Sequence, residues 1–83
     1  WFRLAAAQGE ASAQFNLGVM YEHGRGFPQD YVLAHKWLNL ATSRSTGEER
    51  ETFVKIRDLV AEKMTASQIA EAERLTREWK PKM

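Results

Sequence analysis

The stretch ASAQFNLGVMYEHGRGFPQDYVLAHKWLNLA, residues 11–41, decides the fold. Gln14, Leu17, Gly18 and Tyr21 recur at helical spacing and predict a helix over about 10–22. Gly24 can take the left-handed conformation that ends a helix, Gly26 adds a second permissive position, and Pro28 blocks continuation. Asp30 is a good N-cap, since its carboxylate can accept from orphan amides. The next helix then spans about 31–43, with Ala34, Trp37, Leu38 and Ala41 on one apolar stripe. Gly18 costs its helix roughly 0.5–1 kcal/mol relative to Ala. Its position implies that another helix approaches closely there.

Outward from this hairpin the pattern repeats. Trp1-Phe-Arg-Leu4-Ala5 and Trp37-Leu-Asn-Leu40-Ala41 stand 36 positions apart. Residues 1–8 read as a helix end, stopped at Gly9. Beyond the hairpin, Ser45 and Glu48 suggest a capping box. They would open a helix over about 47–64, with Phe53, Ile56, Val60 and Met64 on one face. Thr65 and Gln68 make a second such box, before a helix carrying Ile69, Ala72, Leu75 and Trp79. Pro81 marks its end. No segment alternates with period two, so no strand is expected. Self-similarity at 20–50 residues is the mark of a stacked array. The fold class read from these patterns is all-α: antiparallel helix pairs in a right-handed α–α superhelix.

Eighty-three residues allow one modest core, and the formal charge of +1 is near neutral. That balance argues against a nucleic-acid binder, which concentrates basic residues on one face. With no cysteine there is neither a disulfide framework nor a thiolate metal site. No apolar run approaches the ~20 residues of a membrane-spanning helix. The start at Trp1, inside a helical phrase, suggests a piece of a longer chain.

Residues 11–41 also resemble the Sel-one-like repeat family, a branch of the tetratricopeptide-type helical repeats. The shared phrase is A-x-AQ-x-x-LG-x-x-Y-x-x-G-x-G-x-x-x-D-x-x-x-A-x-x-W-x-x-x-A. Here Ala11, Ala13, Gln14, Leu17, Gly18, Tyr21, Gly24, Gly26, Asp30, Ala34, Trp37 and Ala41 supply it in order. The resemblance divides the chain into the end of a preceding repeat at 1–9, one intact repeat at 10–44, and a C-terminal capping helical pair at 45–83. After Ser43 the phrase departs: Lys55 and Ile56 would stand where Leu17 and Gly18 stood. Terminal repeats are expected to be atypical, because their outer face meets water.

Chemistry beyond binding finds little in the residues. His23 and His35 lack metal-ligand spacing, and no Cys is available to complete a zinc site. Gly24-x-Gly26 lacks the preceding strand and the longer glycine pattern of a phosphate loop. Glu48, Glu49 and Glu51 stand in a first helical turn, where they complement the helix dipole. Thr65 to Ala70 is similar to the opening of a helix-turn-helix, but Pro81 arrives before a recognition helix could follow. No catalytic residue, cofactor or metal site is therefore assigned.

What the resemblance implies is a protein- or peptide-binding scaffold or adaptor with no catalysis of its own. The alternative is an accessory domain whose active part lies in another region of the protein. In the resembled family, first helices line the concave side. Ser12, Phe15, Val19, Glu22 and His23 form the corresponding line here. Phe15 and Val19 would give apolar contact, and Glu22 and His23 would orient a partner. The other reading of Phe15 and Val19 is packing against the neighbouring repeat. Exposure of Trp1, Phe2 and Leu4 at the N-terminal edge adds an expectation of self-association.

Overall fold

The turn from Gly24 to Asp30 sets how the first two helices meet, and it is tied down at both ends. The computed structural model describes residues 9–26 and 28–79. The first helix, α1, spans Ala11–His23, and Gly24 follows it with φ 69° and ψ 31°. The amides of Gly24 and Arg25 both donate to the Met20 carbonyl. A residue without Cβ takes this left-handed corner at no steric cost. Gln29 then donates from its side-chain amide to the Glu22 carbonyl at 2.7 Å, and the Asp30 amide donates to the Tyr21 carbonyl at 3.0 Å. The second helix, α2, spans Tyr31–Ser43 and opens on Asp30, whose Oδ1 accepts from the Leu33 amide at 3.1 Å.

Two further helices follow, α3 at Gly47–Ala61 and α4 at Ala66–Glu78. Among the described residues there are these four helices and no strand. The all-α class read from the sequence is what the chain adopts. At the start of α3 the sequence reading needs correction. Its N-cap is Thr46, with no side-chain cap bond, and Ser45 does not cap it. Ser45 is buried, and its hydroxyl donates back to the Ala41 carbonyl at 2.7 Å. Thr42 and Ser43 donate likewise to the Leu38 and Leu40 carbonyls, each at 2.8 Å. The last turn of α2 exposes orphan carbonyls, and three neighbouring hydroxyls satisfy them. Ser45 thus serves the helix before it.

The α3 helix also ends earlier than its periodicity suggests. From Lys63 onward the amides reach back only three residues, Lys63 to Val60 and Met64 to Ala61. Met64 still packs on the core from this turn. The second expected box is formed in full: the Gln68 amide donates to Thr65 Oγ1 at 3.1 Å, and the Thr65 amide to Gln68 Oε1 at 2.9 Å.

The core is organised on α2. The other three helices each pack mainly on it rather than on one another. One side of α2 gives Trp37 and Leu40 to Ala13 and Leu17 of α1, with Tyr21 and Trp79 closing the cluster. The other side gives Ala34 and Leu38 to Val60, with Phe15, Ile56 and Met64 packed around them. Leu38, Gln14 and Val60 are the largest side chains wholly removed from solvent.

Candidate functional site

The repeat positions serve the α1–α2 contact. Ala13, Gln14, Leu17 and Gly18 are buried on α1, and Ala34, Trp37 and Ala41 are buried on α2. A Cβ on Gly18 would lie 2.9 Å from Leu38 Cγ and 3.1 Å from the Ala34 carbonyl oxygen. The missing side chain is therefore what lets α2 approach, as the sequence suggested. Gly26 also has positive φ, at 76°, and faces only the Met20 methyl.

At 100° per residue, the side of α1 opposite this contact carries Ser12, Val19 and His23. Ser12 and His23 are exposed and Val19 is half-buried. Phe15 and Glu22 fall on the flank turned toward α3. The Phe15 ring stacks on Phe53 of α3, with centroids 4.4 Å apart and planes 17° from parallel. Much of Phe15 is thus spent on packing inside the chain, the second of the two readings considered for it. Glu22 is 9% exposed. Its carboxylate oxygens lie 3.8 Å from His23 Nε2 and 3.9 Å from Lys63 Nζ, at ion-pair rather than hydrogen-bond range. Lys63 also reaches toward the Tyr31 ring, 6.0 Å from its centroid. Four of the five expected residues thus keep some contact with solvent or a charged neighbour at the surface, while Phe15 ties α1 to α3. Trp1, Phe2 and Leu4 of the expected self-association edge lie outside the described residues.

Two features escaped the sequence reading. Leu59 is an exposed large apolar side chain on α3, at 53%. Its i, i+3 relation to Ile56 made it look like an extension of the core stripe, yet it points away. His35 is the other, buried beside Asn39 and Arg57 in the angle between α2 and α3. A recess of about 310 Å³ opens beside this group, lined by Asn39, Glu73, Thr76 and Arg77. A wider depression of about 730 Å³ runs along α3 past Gly47, Arg50, Glu51, Val54 and Lys55. Among the described residues no three His, Cys, Asp or Glu side chains converge as metal ligands would. None of the described helices is long and apolar enough to cross a membrane.

Comparison with known proteins gives the fold a lineage. The model of the Sel1 repeat matches residues 1–10 and 11–45. The ERAD-associated E3 ubiquitin-protein ligase component HRD3B of Arabidopsis thaliana is 42% identical over 45 residues, 54% of this chain and 8% of that protein. Its counterpart HRD3A from the same plant is 49% identical over 35 residues, 42% of this chain and 5% of that protein. The chitin synthase regulator SKT5 of Saccharomyces cerevisiae is 37% identical over 57 residues, 69% of this chain and 8% of that protein. The chain thus spans less than a tenth of each of these relatives. No solved structure matches it.

Proposed function

The chain belongs to the Sel1 repeat family, and from that premise we propose that it is a protein- or peptide-binding scaffold module with no catalysis of its own. The observation that carries this reading is the kind of protein its relatives are. One is a component of a ubiquitin ligase and another is a regulator of chitin synthase, each named for its relation to another protein. The geometry is of the same sort: four helices spread a surface around α2.

The partner surface in this proposal is the line Ser12, Phe15, Val19, Glu22 and His23 on α1, continued by Leu59 on α3. Val19 and Leu59 supply apolar contact at its centre. Glu22 offers an acceptor whose ion-pair neighbours stand too far off to use its hydrogen-bonding capacity. Phe15 joins the two helices so that they present one surface. An extended peptide or a helix suits such a shallow face better than a small molecule does. Residues 45–83 close the array in this reading. The outer side of α4 supports that role, since Arg74 there is paired with Glu71 and Glu78 and meets water without apolar cost.

Selection of binding peptides from a displayed library against the full 83-residue chain, followed by calorimetry, tests the assignment. Val19→Glu and Ser12→Arg are each expected to weaken the selected peptides by about tenfold or more, roughly 1.4 kcal/mol. Circular dichroism and the melting midpoint should stay near wild type. Peptides that bind both variants as tightly as wild type would place the partner surface elsewhere.

A further inference from the structure

We propose that Arg57, Asn39 and His35 form a directed hydrogen-bond relay that locks α3 onto α2 while His35 is neutral and loosens when His35 takes up a proton. The direction follows from the donors alone. Arg57 Nη1 lies 3.3 Å from Asn39 Oδ1, and Asn39 Nδ2 lies 3.0 Å from His35 Nδ1. A guanidinium can only donate, so the Asn39 atom facing it is the carbonyl oxygen. The other end of the amide is then NH2, which also donates. His35 Nδ1 must therefore accept, which fixes the neutral ring with its proton on Nε2.

A proton on Nδ1 would set N–H against N–H. Turning the Asn39 amide over does not relieve this, because the NH2 would then face the Arg57 guanidinium. Either way one contact of the relay is lost, and it is the relay that bridges α2 to α3. The surroundings point in the same direction. His35 is 6% exposed. Burial, and then the Arg57 charge, hold its pKa below the ordinary imidazole value, and the carboxylates of Glu73 on α4 and Asp58 on α3 oppose them only in part. Asp58 is itself engaged by Arg57, 3.3 Å from Nη2. Arg77 of α4 borders the same recess as Asn39 and Glu73 and adds a further positive charge. No charged side chain of α1 is among the groups that act on His35.

The sign of the effect is set by this lowered value. Between the ordinary value near 6.5 and the lower folded one, the unfolded chain binds more protons than the folded chain. Stability is therefore full above that window and falls as pH drops through it. Because α3 carries Phe53, on which Phe15 stacks, loosening would reach the proposed partner surface. That consequence rests on the proposed function; the lock itself does not.

Nitrogen-15 NMR of the imidazoles in the full chain tests the lock directly. Expected are the Nε2–H tautomer at His35 and a titration midpoint below that of a free imidazole. Hydrogen-exchange protection in α3, corrected for intrinsic rates, should fall as pH drops below about 6.5, the ordinary imidazole value. Asn39→Asp replaces the amide with a carboxylate that accepts from both Arg57 and a protonated His35. In that variant the His35 midpoint should move up and the acid loss of α3 protection should vanish. Arg57→Met, which frees Asn39 to turn, should raise the midpoint as well, and serves if the first variant does not fold. An Nδ1–H tautomer in the wild-type chain, or a His35 midpoint unmoved by both substitutions, would overturn the relay. Peptide affinity measured at the same pH values separates the two ideas. Loss of the lock with unchanged affinity sinks only the partner-surface assignment.

Discussion

At the scale of single residues, Gly18 and Phe15 show how little room the α1 surface has. Replacing Gly18 by Ala would improve helix propensity by about 1 kcal/mol. The added methyl, however, meets Leu38 Cγ at 2.9 Å and the Ala34 carbonyl oxygen at 3.1 Å. A carbonyl in the middle of a helix does not yield, and overpacking costs roughly 1–3 kcal/mol. The expected result is a net loss of about 1 kcal/mol for Gly18→Ala and about 3 kcal/mol or more for Gly18→Leu, read from urea midpoints. Midpoints near wild type for both would mean the helices can separate freely there. Phe15→Ala removes a half-buried ring stacked on Phe53. It should cost about 2 kcal/mol, below the 3–5 of a fully buried ring. In a double-mutant cycle with Phe53→Leu, a coupling of about 1 kcal/mol is expected. Additive behaviour would show the stack carries no energy of its own, and would return Phe15 to the partner surface.

Elements are decided at their ends, and here the sequence was legible to different degrees. Both sides of the α1–α2 turn could be read, because Gly24, Pro28 and Asp30 are each nearly alone in what they can do. The Thr65–Gln68 box could be read for the same reason. The start of α3 could not. Ser45-Thr46-Gly47-Glu48 fits a capping box as a pattern, but a serine hydroxyl is equally able to serve the carbonyls behind it. Only the packed position of Ser45, buried against the end of α2, decides between the two. The same holds for His35: sequence shows a lone histidine in a helix, and only the fold brings Arg57 from 18 positions beyond Asn39. Alanine substitution separates these cases. Asp30→Ala and Thr65→Ala should each cost about 1 kcal/mol as lost N-caps. Ser45→Ala should cost about 1 kcal/mol as a lost buried hydrogen bond. Thr46→Ala, although it stands at the N-cap, should stay within about 0.5 kcal/mol. A larger effect at Thr46 than at Ser45, in thermal or urea melts, would reverse the correction made here.

For the whole molecule, the arrangement around α2 predicts an order of local stability. Leu38 and Ala41 of α2 are fully buried, and both clusters of the core draw on this helix. Opening α2 exposes every cluster at once, so its amides should exchange with solvent only through global unfolding. The α4 helix differs. Of its residues only Ala72 is buried, and Trp79 beyond it meets Trp37 edge-on at 6.0 Å. It can leave α2 while the α1–α2 contact and the Leu38–Val60 cluster stay closed. Native-state hydrogen exchange should therefore show α2 slowest and α4 fastest, with α4 opening at a free energy below the global value. Leu38→Ala, which removes a side chain shared by α1 and α3, should cost about 3 kcal/mol and lower protection in all four helices together. Trp79→Ala should lower protection in α4 alone and leave α2 at its new global value. Equal protection of α2 and α4 in the wild-type chain would mean that the helices open as one unit, and that α4 is part of the core rather than a cover laid over it.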